Sequence, residues 1–519
     1  MLRNKVEKLI KDIVKQEVKL ERPAIVEHGD FSTNIALKAK IDPNKIISKL
    51  KDNILFEKIK KAGPGFINFY LSKKALQQEL NEILEKKDDY GKSNIGENKK
   101  IQVEFISANP TGPLTVGNAR GGPFGDVLAN ILNKAGFKAE KAYYVNDFGQ
   151  QIVSLGHSIL KDGEAKYKGE YIDKLAKKLS AKGGLADSSD PFKAGQWAAK
   201  NIFKDLIQET TNKLGVKYDE WIFESELHKS GGVDKVLSFL DEKGLIYKQE
   251  DAQWFKSKKF GDERDRVVIK KDGNKTYLAG DIALHDYKFK DKKFDKVINI
   301  WGADHHGDVP GLMAGVEALG YKDKLEIILL QFVTILDKGE KKKMSKRAGL
   351  YVLMDELLDK VGKDAVRFFF LQKSSDTHLN FDLKLAKEQS SKNPVYYVQY
   401  AHARICSILK KAKDVILSEA KDLDSSAFGL RMTKPELDLI KELIKFPEII
   451  EDAAKDYQIQ RLPYYALELA NSFHRFYENC KVLDENKEIA QARINLIKAT
   501  KIVLKNTLEL MGISAPEKM

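Results

Sequence analysis

Cysteine is scarce in this chain. Two occur in 519 residues, Cys406 and Cys480, and no CxxC pair or His/Cys cluster has zinc spacing. A disulfide framework and a structural metal site are thereby excluded, and a reducing cytoplasm is the expected setting. Long hydrophobic runs are also missing. The most apolar one, LEIILLQFVTIL at 325–336, is too short and too polar to span a bilayer. At the N-terminus Leu2, Val6, Leu9, Ile10, Ile13 and Val14 recur at helical spacing with acids and bases between them. A signal peptide needs a continuous apolar core and a transit peptide is poor in acids, so the segment is neither. No membrane partner is expected. The chain contains no GxxxxGK[ST] loop, no GxGxxG turn, no internal repeat and no low-complexity tract.

What is present is charge and a large apolar fraction. Residues are 42% hydrophobic and 32% charged, with 89 Lys and Arg against 76 Asp and Glu, a formal +13. The surplus is spread along the chain. It suits a polyanionic partner, whose counterions Lys and Arg would release, and equally a lysine-rich hydrated surface.

Three units follow from the patterning. Residues 1–90 read as a small α+β unit. It has an opening helix, a second helix that Asp30 or Ser32 would cap, and a turn plus strand at AGPGFINFYLS. A polar linker ends it. Residues 98–387 read as α/β with a parallel sheet. The strand IQVEFIS is followed by a glycine turn, a helix with Phe124, Val127, Leu128, Ile131, Leu132 and Ala135 on one face, and the strand KAEKAYYVND. Helical and mixed segments near 160–270 look like an insertion. LEIILLQFVTIL is expected as one further buried strand. Residues 388–519 read as helices only, with Pro435 and Pro463 near helix starts.

Two loops carry chemistry. SANPTGPLTVGNARGG, 107–122, lies between a parallel strand and a helix, where such sheets bind ligands. N–H groups at the helix start favour phosphate, and Gly117, Gly121 and Gly122 would let it approach the backbone. A plain tight turn fits the same glycines. Glu104, on the strand before the turn, is a carboxylate in an apolar run and needs a cation, either an internal Lys or Arg or a ligand. The second loop, KKKMSKR, packs five basic residues into 341–347 between Gly339 and Gly349. It reads as a clamp for a transferring phosphate or as a solvated basic loop.

Taken together, PLTVGN and KMSKR resemble the HIGH and KMSKS signatures of class I aminoacyl-tRNA synthetases. VEFISANPTGPL, YYVNDFGQQI, TYLAGDIALHDYKF, WGADHHGDVPG and VQYAHARICSIL, in that order, resemble the arginyl-tRNA synthetases, as do GDFSTNIALKAK and AGPGFINF in the first unit. The resemblance covers nearly the whole chain. It implies a Rossmann-like catalytic domain, a small α+β tRNA-contacting N-terminal domain and an all-α anticodon-binding C-terminal domain. It also implies L-arginine, ATP with Mg²⁺ and tRNA(Arg) as partners, and a monomer. In the implied reaction the arginine carboxylate attacks the α-phosphate of ATP, and the arginyl group then passes to the terminal ribose of the tRNA. Family members usually need bound tRNA for the first step.

The resemblance also assigns residues. Glu104, Tyr277 and Asp281 would grip the guanidinium, and carboxylates suit that planar group. Ser107 and Asn109 would meet the α-amino and carboxylate groups, and His305 another part of the substrate. Asp304, His305 and His306 tempt a metal reading, which adjacent side chains pointing apart on a strand argue against. Pro110, Gly112, Leu114, Thr115, Gly117 and Asn118 would hold ATP with Met344, Ser345 and Lys346, while Lys343 and Lys346 neutralise the departing pyrophosphate. Tyr397, Tyr400 and Arg404 would meet tRNA. The chain departs from the family at Thr115 and Asn118. The family usually reads HVGH there, and this chain reads TVGN. Losing one such donor costs about 2.7–4 kcal/mol in comparable sites. An active enzyme in which Thr115, Asn118, Arg120 and the lysines share the work is one reading. A synthetase-like RNA-binding protein with weakened catalysis is the other. A nucleotidyltransferase outside tRNA charging would leave the two outer domains unexplained.

Overall fold

The computed structural model describes residues 1–181, 190–337, 340–341, 352–416, 432–483 and 486–519. The first helix, α1 (Leu2–Val14), buries Leu2, Val6, Ile10 and Val14 as its spacing requires. A three-stranded antiparallel sheet follows it, ordered β1 (Phe31–Thr33), β3 (Phe66–Leu71) and β2 (Phe56–Ala62). Asp30 and Ser32 cap no helix. Ser32 is paired in β1, while Asp30 accepts from Leu71 N (2.8 Å) and meets Lys441 of the helical region (2.8 Å).

The central sheet has five parallel strands, ordered β11 (Leu325–Leu330), β10 (Lys296–Gly302), β4 (Lys100–Phe105), β5 (Lys138–Val145) and β6 (Glu220–Phe223). The chain runs outward from β4 through β5 to β6. It then returns to the other side of β4 for β10 and β11. The order therefore reverses between β4 and β10, and the crevice beyond their carboxyl ends is where such a sheet takes a ligand. The segment read as an insertion supplies the edge strand β6, so only part of it lies outside the sheet. The rest includes an antiparallel sheet of β7 (Ile246–Gln249), β8 (Ala252–Phe255) and β9 (Arg266–Ile269).

The helix after the glycine turn is α2 (Gly121–Lys134), and it is buried nearly all round. Its glycines serve the fold. A Cβ at Gly125 would overlap the Phe105 ring of β4, and one at Gly122 would sit 2.9 Å from Leu214. The run 325–336 is two strands. β11 ends at Leu330, and β12 (Val333–Asp337) pairs instead with β13 (Glu340–Lys341) and β14 (Leu379–Asp382). Buried Arg120 holds that break. Its guanidinium donates to the carbonyls of Gln331, Phe332 (3.4 Å), Ser374 (3.2 Å) and Thr377 (2.9 Å).

Helix α3 (Tyr277–Asp286) runs into a π-helical turn, Tyr287–Asp291, ahead of β10. Beyond residue 388 the described elements are helices. They include α4 (Pro394–Ile416), α5 (Arg461–Asn479) and α6 (Lys487–Leu510). A buried knot binds this bundle to the α/β part. Arg367 donates to Met511 O (2.6 Å), Leu214 O (3.1 Å) and Asp126 of α2, and Lys141 takes the other Asp126 oxygen (2.6 Å). Asn130 of α2 donates to Leu510 O (3.1 Å).

Candidate active site

A cavity of about 840 Å³ opens at the reversal point of the sheet. Its floor is the end of β4, one wall is α3, and the rim carries the TVGN turn. The backbone leaves β4 in an unusual way. Ile106 (φ 67°) and Ser107 (φ 38°) both adopt left-handed conformations, which a β-branched residue strongly resists. The kink points Ser107 Oγ back at the strand. It donates to Glu104 Oε1 (2.9 Å) and accepts from Tyr144 N (3.0 Å).

Glu104 is 4% exposed, yet it borders the cavity. Its second oxygen accepts from Lys288 Nζ, a side chain with no exposed surface. The internal cation left open by the sequence is therefore present. Burial raises the Glu104 pKa, but Lys288 and Ser107 outweigh it, and the net direction is below the ordinary carboxylate value. Asp281, one turn into α3, faces the same cavity without such a partner. Burial and the nearby charges of Glu104 and Glu224 push it up to about 8. Its backbone carbonyl meets His285 Nδ1 (2.7 Å), and Asn299 Nδ2 donates to His285 Nε2 (3.0 Å). A carbonyl oxygen only accepts, so Nδ1 carries the proton and the ring is neutral. Burial accordingly pushes His285 down to about 4. Asn299 lies opposite Glu104 in the β10–β4 register, which puts both on one face. Gly280 lets α3 approach Glu224, whose Oε1 would lie 3.1 Å from a Cβ there.

At the mouth, Tyr277 is about half exposed, and Asn109 Nδ2 donates to Gln151 Oε1 (2.6 Å). His305 sits on a 3-10 turn after β10 rather than on a strand, exposed, with Asp308 at 3.5 Å. Among the described residues no group of three or more His, Cys, Asp or Glu could hold a metal ion.

The TVGN turn on the rim is uncharged, while Arg266, Lys270, Asp304 and Asp308 also line the cavity. Thr115 caps the short helix Val116–Ala119. Its hydroxyl accepts from Asn118 N (3.2 Å) and donates to Asn118 Oδ1 (2.6 Å). Thr115 therefore has no proton left for a ligand, while the Asn118 amide NH₂ does. Gly117 is open, since an added Cβ would meet only Thr115 Oγ1 at 3.8 Å. Gly121 and Gly122 admit neighbouring protein instead of phosphate, and the Arg120 guanidinium is occupied by carbonyls. Pro110, Gly112 and Leu114 are not among the cavity-lining residues. A Gly112 Cβ would face Tyr171 (3.2 Å), and Leu114 O accepts from Met354 N (2.9 Å). Lys343, Met344, Ser345 and Lys346 lie outside the described residues. The chain resumes at Val352, whose carbonyl accepts from Val116 N of the turn (3.1 Å).

On the helical bundle, Tyr400 is exposed and stacks with Tyr396 (6.4 Å, 8°), and the Arg404 guanidinium lies over Tyr477 (4.5 Å) and Tyr400 (5.6 Å). Tyr397 donates to Asn471 (2.8 Å) and packs on His474. His402 is buried against Pro516 O.

Family profiles cover this architecture in order. Residues 1–71 match the arginyl tRNA synthetase N terminal domain, 79–409 the catalytic domain of class I (R) tRNA synthetases, and 398–519 the DALR anticodon binding domain. The chain belongs to the arginyl-tRNA synthetase family. The arginine–tRNA ligase of Bacillus subtilis is 42% identical over 98% of this chain and 99% of its own. A solved chain from Campylobacter jejuni described as an arginyl tRNA synthetase is 36% identical, with TM-score 0.77 over 86% of this chain and 100% of that one. The arginyl-tRNA synthetase of Thermus thermophilus, at 22% identity, has the same fold over both full lengths (TM-score 0.78). Against this family background the synthetase-like protein with weakened catalysis finds no support.

The sequence reading missed Lys288, His285, Asn299 and Glu224. A signal existed for the first two. Asp281, His285 and Lys288 stand at i, i+4 and i+7, one face of a helix. Asn299 is the single polar residue in the strand core VINIW.

Proposed function

We propose that the floor of this cavity binds the side chain of L-arginine and its rim the phosphates of ATP, so that the chain ligates arginine to tRNA(Arg). The observation that carries the reading is the pairing of Glu104 and Asp281 across one buried cavity. Glu104 is ion-paired with Lys288, and Asp281 can release its proton to an arriving guanidinium, which is charged at all working pH values and can donate paired hydrogen bonds to carboxylates. Tyr277 closes the mouth over the aliphatic stem, Asn109 and His305 lie toward the α-amino and carboxylate end, and Ser107, expected from the sequence at that end, backs Glu104 instead. The attacking carboxylate then points to the rim, where Asn118 and the open backbone at Gly117 meet the phosphates. Lys343 and Lys346 reach the pyrophosphate from the loop whose return strand is bonded to Val116. Mg²⁺ fits this site as an ion carried in on phosphate oxygens, screening their charge, because the described residues form no metal cage. Tyr397, Tyr400 and Arg404 serve tRNA, the two outward rings by stacking.

The setting is the cytoplasm, and the working unit is a monomer. Two unpaired cysteines and the lack, among the described residues, of any helix able to cross a membrane support that setting. The test is charging of radiolabelled arginine onto tRNA with ATP and Mg²⁺, lysine serving as the control. Charging with arginine alone is expected; no charging despite tRNA binding overturns the reading.

A further inference from the structure

The mechanism leaves one buried charged group unused. Lys288 has no exposed surface, sits in the π-helical turn after α3, and donates to Glu104 Oε2. It meets Glu104 of β4, and its charge also acts on Asp281 and His285 of the preceding helix. Glu224 and Tyr144 lie beside Gly280 of that helix. His285 is held neutral by the Asp281 carbonyl and Asn299. Lys288 is thus the cation of this polar floor.

We propose that Lys288 is a positioning residue for arginine recognition. It keeps Glu104 ionised in the empty pocket and, with Ser107, fixes the plane of its carboxylate, so that the incoming guanidinium meets a formed anion. This rests on the arginine reading above. Two carboxylates that face one cavity disfavour each other's ionisation. The one with a lysine remains charged, and the one without, Asp281, keeps its proton until a cation arrives. Without Lys288, Glu104 would lose the main partner that holds its pKa below the ordinary value, and burial would favour its protonated form. The Ser107 bond to one oxygen and the Lys288 bond to the other also leave a single outward edge for the ligand.

The test compares Lys288→Met, Lys288→Gln and Lys288→Arg with the parent in arginine-dependent charging from pH 6.5 to 9. Thermal melts at each pH confirm folding. In the Met and Gln variants KM for arginine is expected to rise about a hundredfold at pH 6.5, in line with the loss of one partner of a buried pair. The defect shrinks as pH rises and Glu104 ionises unaided, while kcat changes little. Lys288→Arg keeps the charge and stays within about tenfold of the parent at every pH. A loss in the Met variant that is equal at all pH values, or a Gln variant with the parent's profile, overturns the proposal, since either means that shape or a neutral donor suffices. Should the parent itself fail to use arginine, the reading of the site falls first.

Discussion

The two ends of the cavity are built on opposite principles. The floor is charged and sealed. Glu104 and Lys288 are almost without exposed surface, and His285 and Asn299 are locked by hydrogen bonds. The TVGN turn of the rim is neutral and open, with Thr115, Gly117 and Asn118 offering one amide and some backbone, although Arg266, Lys270, Asp304 and Asp308 also line the cavity. A floor of this kind recognises charge that the ligand always carries. It can be rigid because nothing changes there during the reaction. A rim must meet charge that moves during phosphoryl chemistry.

The largest effect should come from breaking the floor. Glu104→Gln strands Lys288 as a buried unpaired cation and removes the guanidinium partner. Arginine kcat/KM is expected to fall about a thousandfold or more, measured by charging, with folding checked by melting. Next comes the rim. Asn118→Ala should lower kcat about a hundredfold and leave KM for arginine unchanged, separating reaction charge from recognition charge. If KM rises instead, floor and rim are not separate. A third test uses Asp281. Its folded pKa of about 8 lies above the ordinary carboxylate value, so the free protein holds a proton there that the unfolded chain has lost. From this group, stability of the free protein falls as pH rises from about 4 to 8. Arginine needs the anion, so its affinity climbs with pH up to about 8, roughly tenfold per unit at most. Calorimetry at pH 7 in buffers of different ionisation enthalpy should show proton release on arginine binding, absent in Asp281→Asn. The smallest effect lies outside the cavity. Tyr400→Ala should weaken tRNA binding about tenfold, the scale of one lost stacking contact, without touching the arginine KM.

Much of this contrast was legible before any coordinates. Strand, glycine turn and helix around Glu104 follow from apolar periodicity, and the all-helical end from its amphipathic runs. Three features escaped for physical reasons. β6 has four residues and no resolvable period, so its place in the central sheet depends on the neighbour β5. The run 325–336 is continuous in hydropathy, but it divides where the distant Arg120 takes the carbonyls of Gln331 and Phe332. Arg120 itself reads as a phosphate ligand because nothing local reveals that carbonyls from four other residues converge on it. At the site, Glu104 stood out as a carboxylate in an apolar strand, and Asp281 was found through the resemblance. Lys288 was anticipated only as an unnamed internal cation.

The knot at Arg367 has a consequence for how the molecule comes into being. Its guanidinium is satisfied by groups at residues 126, 214 and 511. The α/β part and the helical end are therefore joined through this arginine: an α/β fragment would keep Asp126 and Leu214 O but lose the acceptor at Met511 O. Contacts between residues 367 and 511 close over a long stretch of chain, a slow step on topological grounds. During synthesis that part of the chain would emerge long before it could finish folding, and a chaperone that shields it in the interval would matter more here than for an enzyme whose domains close one by one.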